Sequence, residues 1–323
     1  MAEPLIYVTR RIPDSYLEPY QDRFHFECWE KEEEPVPREV LLERAQHADG
    51  LLSMVSDRID GELLAHASQL KVVSNLAVGY DNIDIIEAKK RGITVTNTPD
   101  VLTDTTADLA FALLMATARK VLEASDFVKE NQWKNWSPFL LAGSDIHHKT
   151  IGIVGMGRIG EAIARRAKGF DMDVIYHNRT RKQDVEEKLP AEYRGFEQLL
   201  QEADYVVSVV PLTEETTKLF DERAFKYMKE TSIFINVSRG AVVDEAALER
   251  ALKQKEISAA GLDVFTNEPI DNKHPLVALE NCICLPHIGS ASLETRGQMI
   301  ELCLENLTAV LGGESAKTPV TQA

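Results

Sequence analysis

Cysteine is scarce in this chain: Cys28, Cys282, Cys284 and Cys303 are the only four in 323 residues. They have no metal-ligand spacing to histidine and make no disulfide framework, so a stapled secreted scaffold and a zinc module are both excluded. Cys282 and Cys284 alternate within an apolar run, and the expectation is that one strand presents them to opposite faces as buried, reduced thiols. Long hydrophobic runs are missing too. The most apolar stretch, "LAFALLMATA" between Asp108 and Arg119, is roughly half the length that a transmembrane helix needs. The opening "MAEPLIYVTRRIP" lacks the apolar core of a signal peptide. A soluble, cytoplasmic protein is expected. Basic charge is in deficit, with 36 Lys and Arg against 52 Asp and Glu and a net charge of −16. That excludes nucleic acid and anionic membranes as default partners. It leaves room for an anionic small substrate, because a local field can oppose the global charge. Neither an internal repeat nor a low-complexity linker stands out.

What is present is a chain long enough for two domains, with two series of strand–helix alternation. The first holds "LIYVTR", "REVLLERAQHA", "GLLSMVS", "LKVVSNLAVG", "IDIIEAKKRG" and "ITVTN", and breaks at Thr98-Pro99-Asp100. One long helix is predicted from Thr103 to Lys129, apolar nearly all round in its middle, as in helices buried between domains or at a subunit interface. The second series opens at "KTIGIVG" and continues through "MDVIYHN", "ADYVVSVVP", "TSIFINVS", "ISAAGLDVF" and "CICLP". Continuous apolar strands indicate parallel sheets covered on both faces, hence an α/β fold with doubly wound sheets. After His287 the pattern is helical again, with too few strands for a third domain. That segment is expected to pack back on the first domain, giving residues 1–100 plus 288–323 as one domain and 101–287 as the other.

"TIGIVGMGRIGEAIARRAKGF" contains Gly155-x-Gly157-x-x-Gly160. An apolar strand precedes it, and a helix with Ile159, Ala162, Ile163 and Ala167 on one face follows, which is the context a dinucleotide turn requires. Gly155 permits the turn, Gly157 lets a pyrophosphate approach the backbone, and Gly160 lets helix and strand pack closely. About twenty residues on, an acid is expected to hold the adenosine ribose of NAD. The sequence there is "VIYHNRTRK", with none. Arg179, with Asn178 and Thr180, offers a cation and donors instead, which favours a 2′-phosphate and predicts NADPH over NADH.

Three loops at predicted strand ends carry polar residues where chemistry is expected in an open α/β sheet. "INVSRGAVVDEAAL" places Arg239 in a glycine-bounded turn. "AAGLDVFTNEP" places Asp263 and Glu268 past a buried strand, and "CICLPHIGSAS" places His287 before Gly289. Arg binds a carboxylate in bidentate fashion, and a His–Glu pair can hold a proton donor. After a dinucleotide turn, the set converges on hydride transfer. His147 and His148 read as a solvated hinge segment and His177 as a strand-end residue, and no metal site is expected.

"VGMGRIG", "INVSRGAVVDEAAL", "GLDVFTNEP" and "LPHIGSAS", with "LAVGYDNIDI" and "TTADLAFALLMATAR", resemble the D-isomer-specific 2-hydroxyacid dehydrogenases over nearly the whole chain. "NQWKNWSPF" and the basic "HNRTR" are most similar to the glyoxylate/hydroxypyruvate reductase branch. The resemblance implies two Rossmann-like or flavodoxin-like domains, one binding substrate and one binding dinucleotide, with an active-site cleft between them. It implies that Arg239 grips the 2-oxoacid, that His287 donates the proton, and that Glu268 orients His287. The N–H groups of Val78 and Gly79 would bind the substrate carboxylate, and Trp136 would reach a neighbouring subunit's substrate in a homodimer. Thr106, Arg158, Ile159, Pro211, Thr216 and Val237 fall at cofactor-lining positions, with Asp263 and Gly289 on the nicotinamide side. The expected reaction is reduction of glyoxylate or hydroxypyruvate to the D-2-hydroxyacid. Other D-2-hydroxyacid dehydrogenases, acting on 2-ketogluconate, lactate or phosphoglycerate, remain open, as does a cofactor-sensing protein like the corepressors that share the fold. Neutral "SNLAVG" and the lack of room for a regulatory domain speak against a phosphorylated substrate.

Overall fold

The computed structural model describes residues 3–321. The chain divides into two units: one runs to Leu102 and resumes at Ala291, and the other is Thr103–Ser290. The first unit holds a five-stranded sheet of β1 (Leu5–Val8), β2 (His25–Cys28), β3 (Gly50–Ser53), β4 (Val72–Asn75) and β5 (Thr94–Thr96). Its order is β2-β1-β3-β4-β5, parallel throughout. That is the flavodoxin-like winding, which reverses between β1 and β3. Strands β3 and β4 are buried at every residue, as strands covered on both faces must be. Leu51, Leu63, Leu64 and Val73 centre the core on one face, and the helix Leu293–Leu311 packs on β3 and β4.

The second unit holds β6 (Thr150–Val154), β7 (Asp173–His177), β8 (Ala191–Tyr193), β9 (Tyr205–Ser208), β10 (Ile233–Asn236), β11 (Ala259–Leu262) and β12 (Cys282–Cys284). The order β12-β11-β10-β9-β6-β7-β8 is again all parallel and contains the Rossmann winding, reversing between β6 and β9. Successive side chains of a strand feed opposite cores, as a period of two requires. Tyr205 and Val207 join the helices Thr103–Ala118 and Arg158–Lys168 on one face. Val206 joins the helices Phe196–Glu202, Glu222–Tyr227 and Glu245–Gln254 on the other. Two doubly wound parallel sheets are the fold class that the sequence predicts. No helix among the described residues is long and apolar enough to cross a membrane.

Three details differ from the reading of the sequence. The edge strands β2 and β8 are not legible as apolar runs, because edges carry exposed polar residues such as His25 and Glu192. The single helix expected over Thr103–Lys129 is two, Thr103–Ala118 and Val121–Lys129, broken at Lys120 in the left-handed region (φ 53°). There the Ser144 N–H donates to the Ala118 carbonyl at 2.9 Å, so a loop takes the acceptor that a continuing helix would use. The first helix spends its apolar side on β10, β11 and the helix Arg158–Lys168 within its own unit, while the second has no buried residue. Finally, Cys282 and Cys284 share one face: their Sγ atoms lie 3.9 Å apart. Residues i and i+2 of a strand point the same way, and the expectation of opposite faces was wrong for that reason.

Candidate active site

The glycine turn follows β6, at the point where the second sheet reverses. Gly155 has φ +106°, and a Cβ there would lie 2.8 Å from the Val209 carbonyl carbon and oxygen. Only glycine tolerates both demands. A Cβ on Gly160 would lie 2.3 Å from the Gly155 oxygen, which sets how closely helix and turn pack. Around Gly157 the space is open: a Cβ would meet nothing within 4 Å. Gly157 is also the N-cap of Arg158–Lys168, and no side chain caps that helix. Backbone N–H groups with a positive end potential therefore face a space that a diphosphate can enter. These features fit a dinucleotide. Arg158 is exposed beside Gly157, and Ile159 is half-buried against the core.

Beyond β7, the residues of "HNRTR" separate in role. His177 Nδ1 donates to the Arg194 carbonyl at 3.1 Å and the ring packs near Tyr193 and Phe196, so it is a strand-end residue. Arg181 makes a two-point contact with Glu186 at 2.8 and 2.7 Å, and the Tyr176 hydroxyl donates to the same carboxylate. Arg181 and then Tyr176 pull the Glu186 carboxyl down to about 2. Asn178 Nδ2 donates to the Thr180 carbonyl at 3.0 Å, shaping the turn. Arg179 and Thr180 are exposed. The charge of Arg179 reaches Glu215, whose carboxyl is lowered first by the Thr213 hydroxyl and also by that guanidinium. Arg179 thus stands on the side of the loop containing Pro211 and Thr216, which is pinned by a Thr216 Oγ1–Pro211 carbonyl bond of 2.6 Å.

Strands β10, β11 and β12 carry the remaining polar residues on the loops after them. Val237 is buried just past β10. The Asn236 side chain closes the following turn, accepting from the Ser238 N–H and hydroxyl and donating to the Arg239 carbonyl. A Cβ on Gly240 would lie 1.8 Å from the Phe265 carbonyl carbon, so the Arg239 turn seats directly against the loop that carries Glu268. Glu268 Oε1 accepts the Phe265 N–H at 2.8 Å, and Oε2 is 2.7 Å from His287 Nδ1. The two side chains are 29% (His287) and 32% (Glu268) exposed. Burial raises the Glu268 pKa, but the bond to His287, its charge, the Phe265 N–H and the Arg239 charge outweigh it, and the carboxyl ends below its ordinary value of 4.5. His287 itself has φ 54°, a conformation uncommon outside glycine. It is held by its N–H donating to the Asp263 carbonyl at 2.9 Å.

Asp263 is 1% exposed. Burial pushes its carboxyl up, opposed by the N–H groups of Ile288 and Gly289 and by the His287 charge. Its carboxylate ties down the turn after His287, and Thr106 stands beside Gly289 in the same place. Arg239, Asp263, Glu268, His287, Gly289 and Thr106 are thus brought together. Sequence reasoning missed Asn236 and also Glu245, which accepts the Thr266 N–H at 2.7 Å and faces His274 at 3.5 Å. Asn236 acts on the turn that directly follows it, at Ser238 and Arg239, whereas the backbone partner of Glu245 lies 21 residues on.

Val78 and Gly79 belong to the other unit, in the turn after β4. Asn97 Nδ2 donates to the Val78 carbonyl at 2.7 Å, and Asn75 Nδ2 to the Gly79 carbonyl at 3.0 Å, so side chains fix the orientation of both peptides. Trp136 is 74% exposed, in a segment with Trp133 and the 87% exposed Phe139. His147 and His148 are exposed neighbours. No group of three or more potential metal ligands occurs among the described residues.

Comparison with known proteins agrees with this fold. The family described as D-isomer specific 2-hydroxyacid dehydrogenase, NAD binding domain, matches residues 111–289. A glyoxylate reductase of Pyrococcus horikoshii is 52% identical over 99% of this chain and 96% of its own. One from Thermococcus gammatolerans is 50% identical with the same coverage. Among solved structures, a Thermus thermophilus protein superposes with TM-score 0.91 at 44% identity, covering 98% of this chain and all of its own. An NADPH-dependent glyoxylate/hydroxypyruvate reductase of Sinorhizobium meliloti, in complex with NADP and malonate, gives 0.87 at 34% identity, over 99% and 97%. The sequence motifs, the two windings and these likenesses agree: the chain belongs to the D-isomer-specific 2-hydroxyacid dehydrogenase family, alongside its glyoxylate reductases.

Proposed function

We propose that this protein is an NADPH-preferring reductase that converts glyoxylate and hydroxypyruvate to the D-2-hydroxyacid. The observation that carries the reading is the 2.7 Å His287 Nδ1–Glu268 Oε2 contact, with Arg239 close enough to lower the Glu268 carboxyl. A nicotinamide cofactor held at the glycine turn would supply the hydride for the substrate carbonyl carbon. His287, with Nδ1 occupied by Glu268, presents Nε2 as the proton donor to the carbonyl oxygen. Glu268 fixes the ring through Nδ1, so Nε2 is aimed at the oxygen on which the alkoxide develops. Arg239 binds the carboxylate and polarises the carbonyl, where its planar fork fits both oxygens. Asp263 holds the turn after His287 through Ile288 and Gly289. The Val78 and Gly79 N–H groups serve as further carboxylate donors.

The residues 101–287 form the dinucleotide domain in this reading, and 1–100 with 288–323 the substrate domain. Gly155, Gly157, Gly160, Arg158 and Ile159 hold the diphosphate end, while Thr106, Pro211, Thr216, Val237 and Gly289 line the cofactor. Arg179, Asn178 and Thr180 read the adenosine ribose. The lack of an acid there supports NADPH, as does the commitment of Arg181 to Glu186, which leaves Arg179 as the cation for a 2′-phosphate. The exposed apolar segment containing Val121, Leu122, Val128, Trp133, Trp136 and Phe139 supports a homodimer in which Trp136 serves the partner's substrate; a cytoplasmic setting belongs to the same reading.

A steady-state panel of glyoxylate, hydroxypyruvate, pyruvate and 2-ketogluconate with each cofactor tests this. Turnover of about 1 s⁻¹ or more is expected on the first two with NADPH. Arg179→Ala is expected to erode the NADPH/NADH preference by about one to two orders of magnitude, the value of one charge-assisted contact. Negligible turnover on every 2-oxoacid sinks the enzymatic reading, and an unchanged cofactor ratio sinks the role of Arg179.

A further inference from the structure

Strand β12 is an edge of the seven-stranded sheet and, among the described residues, pairs only with β11. Its two cysteines project from one face, with Sγ atoms 3.9 Å apart, both half-buried against the cluster that includes Leu248, Leu252 and Leu262. The hydride-transfer chemistry above uses neither thiol. The Cys284 thiol is held below its ordinary value by a hydrogen bond from Cys282, and Cys282 is pushed well above it by the same bond and by burial. At 3.9 Å either sulfur can donate to the other, so one thiol of the pair can ionise while its neighbour keeps a proton; Cys284 serves as the one that ionises.

We propose that Cys282 and Cys284 are a reversible thiol-oxidation site that closes to a disulfide under peroxide and so slows the reductase. In the first step the Cys284 thiolate attacks a peroxide oxygen: an S–O bond forms, the O–O bond breaks, and the leaving oxygen departs as water or an alcohol after taking a proton. In the second, the Cys282 sulfur attacks Cys284: the S–S bond forms, the S–O bond breaks, and water leaves with the Cys282 proton. The two thiols are oxidised and one peroxide is reduced.

Closure cannot be silent. Residues i and i+2 of a strand have Cα atoms about 6.6 Å apart, near the upper limit for a bridge, and the sulfurs must approach to about 2.05 Å. The strand must therefore pucker. Leu285, next along, donates its N–H to Leu262 at 2.8 Å, and His287 donates to Asp263 at 2.9 Å, so the deformation reaches the imidazole within three residues. A bridge that bends its own strand is also readily reduced, as a reversible switch requires. The effect on turnover rests on the assignment of His287 as proton donor; the covalent site does not.

The full-length protein is treated with hydrogen peroxide in its native state, alkylated and peptide-mapped, with glyoxylate reduction by NADPH measured in parallel. The expected product is a Cys282–Cys284 cross-link lighter by two hydrogens. The rate should fall by about one to two orders of magnitude, the cost of an ångström-scale misplacement, and dithiothreitol should restore it. Cys282→Ser and Cys284→Ser should match the untreated rate and keep it after peroxide. Phenylarsine oxide, which bridges paired thiols without oxidising them, should load one arsenical on the native chain and none on either variant. The proposal is overturned by a map without the cross-link, by a cross-link that leaves the rate unchanged, or by serine variants that peroxide inactivates like the native chain. A chain that forms the cross-link yet never reduced a 2-oxoacid overturns the functional reading instead.

Discussion

At the scale of single residues, the acid–base pair makes the sharpest prediction. Glu268 is held below its ordinary value of 4.5, so the stabilisation from its pair with His287 is complete above that pH. It is lost as pH falls through the depressed value. Glu268→Gln keeps the shape but removes the carboxylate that sits on His287 Nδ1. We expect kcat for reduction to fall by up to about 100-fold, and the acid-side loss that follows protonation of Glu268 in the native enzyme to be absent from the variant. A full pH profile of both checks this, and an acid limb shared by native and variant enzyme would remove Glu268 from the proton path. Arg239, Glu268 and His287 were legible because each is a chemically suited residue in a loop after an apolar run. Asn236, Glu245 and the contact of Gly240 with Phe265 were not. Glu245 and Gly240 meet backbone of the loop after β11, which no spacing in the sequence encodes, while Asn236 turns back on Ser238 and Arg239 from the end of an apolar strand that reads only as core. The cysteines show the opposite case: the period of a strand was legible and was misapplied.

At the scale of elements, the turn after β6 is the most constrained. Gly155→Ala must accommodate a methyl 2.8 Å from the Val209 carbonyl at φ +106°. We expect a loss of about 1–3 kcal/mol in stability, together with weaker cofactor binding, because the turn and the helix start move as one. Urea melts beside a fluorescence titration of NADPH measure both, and a variant as stable and as tight as the native chain would mean that the turn relaxes freely. Buried parallel strands were read correctly, since continuous Val and Ile runs leave few alternatives. Edge strands β2 and β8 escaped because one side of an edge faces solvent and its composition is that of a loop. The break at Lys120 escaped because its cause, the Ser144 N–H, lies 24 positions on in the chain.

At the scale of the whole molecule, each unit has its own apolar core, and the fold class follows from strand composition alone. The segment from Val121 to Phe139 is different, because its large apolar side chains are uncovered within the single chain and a patch of this kind usually marks an interface. If a second copy covers it, stability follows mass action. Tm should therefore rise with protein concentration, and Phe139→Ser should abolish that dependence and shift sedimentation to a single-chain mass. A Tm independent of concentration in the native protein would count against the homodimer.

The nucleotide end of the fold divides its labour in a way that bears on how such a protein changes over evolutionary time. A diphosphate would be met at Gly157 by main-chain donors at a helix start that no side chain caps, and substitutions other than at Gly155 and Gly160 leave those donors in place. The ribose would be met by exposed side chains after β7, which a single replacement can invert in charge. Attachment to a dinucleotide would then be the durable property of such a turn, and the choice of which dinucleotide the labile one.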